Sequence, residues 1–173
     1  MNHINIEIKA KCFHPKKVEA FLLSAGANFV GLDHQKDTYF QVPEGRLKLR
    51  QGNIENSLIF YNRPNREGPK QSDFYLSKIS DGSATEQLLA KALGIKVVVE
   101  KNRKIFFIEN VKFHLDEVPG LGSFVEIEAG NLNNPNKTIE DLHTQCNYYM
   151  QAFEIEKADL IEHSYSDMLL LLL

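Results

Sequence analysis

Hydrophobic and polar residues trade places with period two along much of this chain, beginning at its first strand-like stretch. In "INIEIKAK", Ile4, Ile6, Ile8 and Ala10 share one parity, while Asn5, Glu7, Lys9 and Lys11 share the other. This is the pattern of a strand with one buried face. Comparable runs, separated by turn-like stretches such as "PEG" and "NRPNREGPK", predict strands over roughly residues 3–11, 37–42, 45–51, 57–63, 72–79, 96–107, 110–117 and 123–129. Helical spacing takes over in three places. Residues 15–26 begin with Pro15, put Val18, Phe21 and Leu22 on one face, and stop at Gly26. Residues 83–94 open with a Ser83–Glu86 capping-box pattern and close at Gly94. A third run starts near Thr138 and carries Ile139, Leu142, Cys146, Tyr149, Met150 and Phe153, with another helical stretch predicted at 157–163. The element pattern is that of an α+β protein whose strands are mostly antiparallel.

Composition narrows the class. A chain of 173 residues fits one domain spanning 1–173 with a real core, and 43% hydrophobic and 25% charged residues match an ordinary soluble protein. A formal net charge of −3 gives no basic field to bind nucleic acid in bulk, so anion binding has to come from local clusters of Lys and Arg. Cys12 and Cys146 are too few for a disulfide framework or a thiolate metal site. The absence of a secretory pattern points to a reducing cytoplasm. The tail "DMLLLLL" is too short to cross a bilayer. It reads as a segment packing on its own domain, with a homodimer contact as the alternative use. No G-x-x-x-x-G-K-[ST] loop is present, which excludes a Walker-type nucleotide site.

The polar parity carries the functional signal. Lys48 and Arg50 share one strand face, as do Lys101 and Arg103, whereas Glu126 and Glu128 form an acidic pair; Lys112, His114 and Asp116 share a face of their own strand. A solvated sheet face intermixes signs, because like charges two residues apart on one face repel. Strand-by-strand sorting of charge calls for compensation, by a polyanion for the cations and a hard divalent metal for the carboxylates. A closed or strongly curved sheet with a polar interior would bring these faces together, and the apolar parity would then face outward under the helices. The strand pattern allows that arrangement without requiring it.

Seven stretches, "NIEIKAK", "QKDTYF", "GRLKLRQG", "LIFYNRP", "VVVEKNRKIF", "FHLDEVPGLGSFVEIE" and "HSYSDMLL", follow one another from residue 5 to about 170. With them the chain resembles the CYTH superfamily of triphosphate tunnel metalloenzymes, and within it the class IV adenylyl cyclase-like branch, relatives of thiamine triphosphatase. The resemblance implies an antiparallel eight-stranded β-barrel, or triphosphate tunnel, with flanking helices. It implies phosphate contacts from Lys9, Lys48, Arg50, Arg63, Lys101 and Arg103, with Lys101, Arg103 and Asp116 closest to the chemistry. It implies Mg²⁺ or Mn²⁺ held by Glu7, Glu126 and Glu128, with Asp116 as a ligand or an orienting carboxylate. The residue types suit these roles: Arg grips phosphate oxygens bidentately, Lys acts as a point charge, and Mg²⁺ takes a few carboxylates plus phosphate oxygens. His114 reads as a tunnel-wall histidine, since its sequence neighbours form no catalytic constellation.

The family's opening Glu-x-Glu-x-Lys is here Asn5-Ile6-Glu7-Ile8-Lys9, which removes one carboxylate and puts a second metal position in question. Three functions are in play. One is cyclisation of ATP to cyclic AMP and pyrophosphate. Another is hydrolysis of inorganic, thiamine or nucleoside triphosphate. The third is non-catalytic sensing of polyphosphate or nucleotide. For a tunnel of unpaired like charges, Arg103→Ala is expected to lower the rate while sparing the fold.

Overall fold

The computed structural model describes residues 3–62, 65 and 67–173, without the side chain of His3. Arg63, one of the expected phosphate contacts, lies outside the described residues. The strands are β1 (His3–Lys11), β2 (Asn28–Phe40), β3 (Arg46–Gln51), β4 (Asn56–Asn62), β5 (Lys70–Lys78), β6 (Ile95–Ile108), β7 (Val111–Val118) and β8 (Gly122–Gly130). They close into an antiparallel barrel in the order β1-β5-β4-β3-β2-β6-β7-β8. The helices are α1 (Pro15–Ser24), α2 (Gly82–Leu93), α3 (Ile139–Ala152) and α4 (Tyr165–Leu170).

The barrel is inside out relative to a solvated sheet. The apolar parity of β1, β7 and β8 faces outward, where Ile6, Ile8, Phe113 and Ile127 pack with Leu22 of α1 and Leu142 of α3 in one buried cluster. Full burial of each such side chain contributes about 1.5–3 kcal/mol, so this layer supplies much of the stability. The polar parity is thereby directed into the lumen. A second cluster, with Tyr39, Tyr61, Val118, Phe124 and Tyr165 at its centre and Met168 and Leu169 packed against it, seats α4 on one end of the barrel. The segment leading into α4 is tied down by Ile161 N–H donating to the Lys9 carbonyl (2.9 Å) and by the buried Lys70, whose Nζ donates to the carbonyls of Ile161 (3.1 Å) and Glu162 (2.8 Å).

Three elements depart from the sequence pattern. β2 begins at Asn28 rather than near residue 37, because its first part is held by the ladder to β6 (Asn28↔Phe107 through Phe40↔Ile95) and not by an apolar face: Phe29, Val30 and Leu32 are all exposed. The ladder is irregular between Phe29 and Gly31, where Gly31 has φ +147° and a Cβ would come within 2.9 Å of Ile54 Cδ1. The cap of α2 is Asp81, which accepts from Ala84 N–H at 2.9 Å, in place of the expected Ser83; a carboxylate there also suits the positive end of the helix. The expected helix at 157–163 is only a 3₁₀ turn, Lys157–Asp159, followed by a bridge from Leu160 to Ala10. The leucine tail packs on its own barrel through Met168 and Leu169, while Leu171, Leu172 and Leu173 are exposed.

Candidate functional site

The register of the ladders decides which polar side chains meet. Across β1 and β8, Glu7 lies opposite Glu128 and Lys9 opposite Glu126. Across β7 and β8, Lys112 lies opposite Glu128 and His114 opposite Glu126. Asp37 pairs with Arg50 across β2 and β3, and Arg103 with Asp116 across β6 and β7. Since alternate residues share a face, one parity of each strand is delivered to the lumen. The result is a cavity of about 660 Å³ running through the barrel, lined by Glu7, Lys9, Lys48, Arg50, Lys101, Arg103, Glu126 and Glu128 among others. Tyr165 closes in on it at the α4 end, and Asn56, Lys78 and Leu132 stand at the opposite mouth.

Two charged groupings occupy this lumen. In the first, the buried Asp37 carboxylate takes Arg50 in a fork (Nε to Oδ1 2.9 Å, Nη2 to Oδ2 2.8 Å), with Lys101 at 2.8 Å and Lys48 at 3.4 Å from Oδ2. Burial alone would raise the Asp37 pKa, but Arg50, Lys101 and Lys48 hold it well below the usual carboxylate range. One carboxylate cannot satisfy three cations. Burial, with the like charges of Arg50, Arg103 and Lys48, pushes the Lys101 ammonium down to about 7 against the pull of Asp37. The grouping has a surplus of positive charge.

The second grouping lies on β1, β7 and β8. Glu126 Oε1 is 3.1 Å from Lys9 Nζ, and its Oε2 is 3.0 Å from both Arg103 Nη2 and His114 Nδ1. Glu128 Oε1 lies 3.8 Å from the same imidazole nitrogen. His114, Glu126 and Glu128 each offer a ligand atom, and these atoms lie within 4.8 Å of one another. Burial and the nearby Arg103 lower the His114 pKa, favouring the neutral imidazole that a metal requires, and His114 Nε2 is buried with no hydrogen-bond partner among the described residues. These donors fit a divalent cation, with Glu7 across the ladder from Glu128 as a further carboxylate.

Asp116 is set back from the lumen. Its Oδ1 and Oδ2 accept from Arg103 Nε (2.7 Å) and Nη2 (2.6 Å), and Oδ2 also accepts from Tyr165 Oη at 2.7 Å. With both oxygens engaged it has the arrangement of an orienting carboxylate and not of a metal ligand. The tunnel cations are therefore not unpaired, and the expected tolerance of the fold to Arg103→Ala is withdrawn: that change would leave Asp116 and Glu126 without their buried partner.

The family model for the CYTH domain matches residues 3–165. The chain belongs to the CYTH domain family. A Methanocaldococcus jannaschii protein named as a candidate adenylate cyclase is 28% identical over 95% of this chain and 98% of its own. Among solved structures, a Pyrococcus horikoshii protein superposes with a TM-score of 0.78 at 20% identity, covering 94% of this chain and 98% of that one. A Hippeastrum protein, named both for adenylyl cyclase and for a dominant triphosphatase activity, superposes at 0.62 with 14% identity over 97% of this chain and 94% of that one. These structural likenesses are likenesses of fold.

Sequence reasoning missed Asp37 and Glu55 but placed His114 in the tunnel wall, where it lies. Asp37 sits in "QKDTYF" with nothing beside it to announce three cations. Glu55 lies in the turn between β3 and β4 and enters the lumen, where it pairs with Arg50 and Lys112. His114 had a usable signal: it shares parity with Lys112 and faces a strand carrying Glu126-x-Glu128. No helix among the described residues is long and apolar enough to cross a membrane.

Proposed function

We propose that this CYTH protein is a divalent-metal-dependent enzyme that takes a triphosphate into its tunnel and, with ATP as substrate, forms cyclic AMP and pyrophosphate. The observation that carries the reading is the juxtaposition, in one cavity, of a cation-rich grouping around Asp37 and a carboxylate–imidazole grouping around Glu126. A polyphosphate complements the first and a metal ion the second. Lys48, Arg50 and Lys101 bind the outer phosphates and take up charge on the leaving group. Arg103, fixed in orientation by Asp116, donates to an oxygen of the phosphate under attack, and Lys9 neutralises an adjacent oxygen. Glu126, Glu128 and His114, with Glu7 beside them, would hold the Mg²⁺ or Mn²⁺, which when bound supplies charge neutralisation at the phosphate oxygens. A carboxylate set with one imidazole suits Mn²⁺ as well as Mg²⁺. The name of the Methanocaldococcus jannaschii relative supports cyclisation. The wall of Ile59, Tyr61, Phe74 and Leu76 offers apolar surface for a nucleoside.

The second reading, hydrolysis of the terminal phosphate of a nucleoside, thiamine or inorganic triphosphate, uses the same cations and metal ligands. It is favoured by a mouth at Asn56, Lys78 and Leu132 that lets water reach the phosphates. Product analysis separates the two. ATP, inorganic triphosphate and thiamine triphosphate are each incubated with Mg²⁺ or Mn²⁺, and cyclic AMP with pyrophosphate supports cyclisation. Orthophosphate supports hydrolysis, and tight binding without product leaves a sensor.

A further inference from the structure

Glu55 is an anion held in place before any substrate arrives. It lies just before β4, and its carboxylate spans the lumen: Oε2 accepts from Arg50 Nη1 of β3 at 3.0 Å and from the Gln35 amide Nε2 at 3.1 Å, and Oε1 pairs with Lys112 Nζ of β7. Those strands are three places apart in the ring of eight, so the bridge crosses the tunnel and does not run along its wall. Burial would raise the Glu55 pKa, yet Lys112 and Arg50 hold it well below the usual range, so the bridge is charged at any working pH.

The loop does not need this side chain to keep its shape. Buried Asp33 accepts the backbone N–H groups of Ile54 (2.9 Å) and Glu55 (3.0 Å). Asn53 Nδ2 donates to the Leu32 carbonyl at 3.1 Å, and Asn56 Nδ2 donates to the Gly52 carbonyl at 2.8 Å. At Gly52 a Cβ would come within 2.5 Å of Asp33 Oδ1, so the backbone packs directly on the clamp. A backbone this well fixed holds the Glu55 carboxylate in the lumen, where it occupies two cations that a polyphosphate would otherwise reach.

We propose that Glu55 stands in for substrate phosphate near the tunnel mouth and is displaced from Arg50 and Lys112 when a triphosphate binds, which makes Lys112 a further phosphate-binding residue. The proposal rests on the triphosphate reading of the cavity. Displacement requires only side-chain rotation, since Asp33 keeps the loop backbone in place. The bridge thereby sets a threshold: an incoming anion has to outcompete a carboxylate already held by both cations, and a triphosphate, which can also reach Lys48 and Lys101, gains more in that exchange than a single phosphate does.

The test is calorimetric binding of inorganic triphosphate, with orthophosphate as control, to the full chain and to Glu55→Gln, Lys112→Met and Lys48→Met. Glu55→Gln is expected to tighten triphosphate binding about tenfold, which corresponds to about 1.4 kcal/mol of competition removed. Lys112→Met should weaken binding, and adding it to Glu55→Gln should remove part of the gain. Glu55→Asp, too short to reach both cations, is the second variant if Glu55→Gln fails to fold, and it should change affinity in the same direction. Unchanged or weaker binding in a folded Glu55 variant, with Lys48→Met still weakening it, overturns the displacement and leaves the triphosphate reading standing. Absence of triphosphate binding in the wild type and all variants overturns both.

Discussion

The two charged groupings in the tunnel are built from similar residues and reach opposite balances. Around Asp37 the cations outnumber the carboxylates: Asp37 serves Arg50, Lys101 and Lys48, and Glu55, which also takes Arg50, is shared with Lys112, so positive charge is left over. Around Glu126 the carboxylate of Glu128 stands beside an imidazole pushed toward neutrality, with Lys9 on Glu126 and Glu7 across the ladder, so carboxylate donors predominate. Arg103 lies between them, locked to Asp116 and Glu126. Buried charge is tolerated only when paired, and partial pairing at both sites leaves each incomplete in the opposite sense. A metal–polyphosphate complex has the charge distribution to complete both, whereas a bare anion or a bare cation completes one. This asymmetry is the physical basis of the proposed function.

The largest effect is expected where the groupings join. Arg103→Ala removes a donor to the reacting phosphate, which typically lowers kcat by about 10²–10³-fold. It also strands two buried carboxylates, a loss of about 3–5 kcal/mol. Steady-state kinetics and urea unfolding on one preparation should show both losses, and loss of rate alone would mean that the pairing to Asp116 contributes nothing.

Next comes Asp37→Asn, which leaves three cations facing one another and is expected to destabilise the fold by about 3 kcal/mol. Triphosphate at 100 times the Kd of this variant adds about 2.7 kcal/mol by mass action, and at that same fixed concentration Glu126→Gln, which leaves the carboxylates of Glu7 and Glu128 in place, should gain less. Thermal unfolding with and without inorganic triphosphate reads this directly. Equal rescue of Glu126→Gln under the same conditions would erase the distinction between the two groupings.

A smaller effect follows from Lys101. Its pKa is lowered from the usual 10.5 to about 7, chiefly by burial. Between these values the unfolded chain keeps a proton that the folded chain has lost, so this residue makes stability rise with pH across that window, and Lys101→Met should flatten the rise. A bound polyanion favours the charged ammonium. At pH 8, about one unit above the folded pKa, triphosphate binding should therefore take up close to one proton, about 0.9. Calorimetry in buffers of different ionisation enthalpy measures the uptake, and its absence would show that Lys101 stays charged or does not meet the phosphates.

The smallest effect concerns Asn5, whose amide lines the cavity; its Oδ1 would stand 2.4 Å from a Cβ added at Gly130. Asn5→Glu places a carboxylate beside Glu7 and should lower the Mn²⁺ concentration for half-maximal rate by a few fold. A metal titration that does not move would place position 5 away from any metal.

The strands were legible because they alternate so strictly, Ile6 and Ile8 against Glu7 and Lys9, Phe113 and Leu115 against Lys112 and His114, whereas their closure into a barrel was what the family resemblance implied. The same alternation, with the family resemblance, singled out Glu7, Lys9, Lys48, Arg50, Lys101, Arg103, Glu126 and Glu128, which line the cavity. What stayed hidden was the pairing among them. Asp37 and Glu55 are ordinary acidic residues until the ladders bring Arg50, Lys101 and Lys112 to them, and those contacts span 5 to 64 residues of chain. The early part of β2 was hidden for another reason. Its exposed Phe29, Val30 and Leu32 show no alternation, because backbone pairing to β6 and not burial holds it in place.

The most direct test of the central claim is the thermodynamic coupling between metal and polyphosphate. Binding of inorganic triphosphate is measured with and without Mn²⁺, in the wild type and in a Glu126→Gln, Glu128→Gln double variant. If the tunnel is completed by a metal–triphosphate complex, Mn²⁺ tightens triphosphate binding in the wild type by tenfold or more, about 1.4 kcal/mol, and the double variant loses that tightening while still binding triphosphate alone. Equal tightening in both proteins, or none in the wild type, would contradict the account.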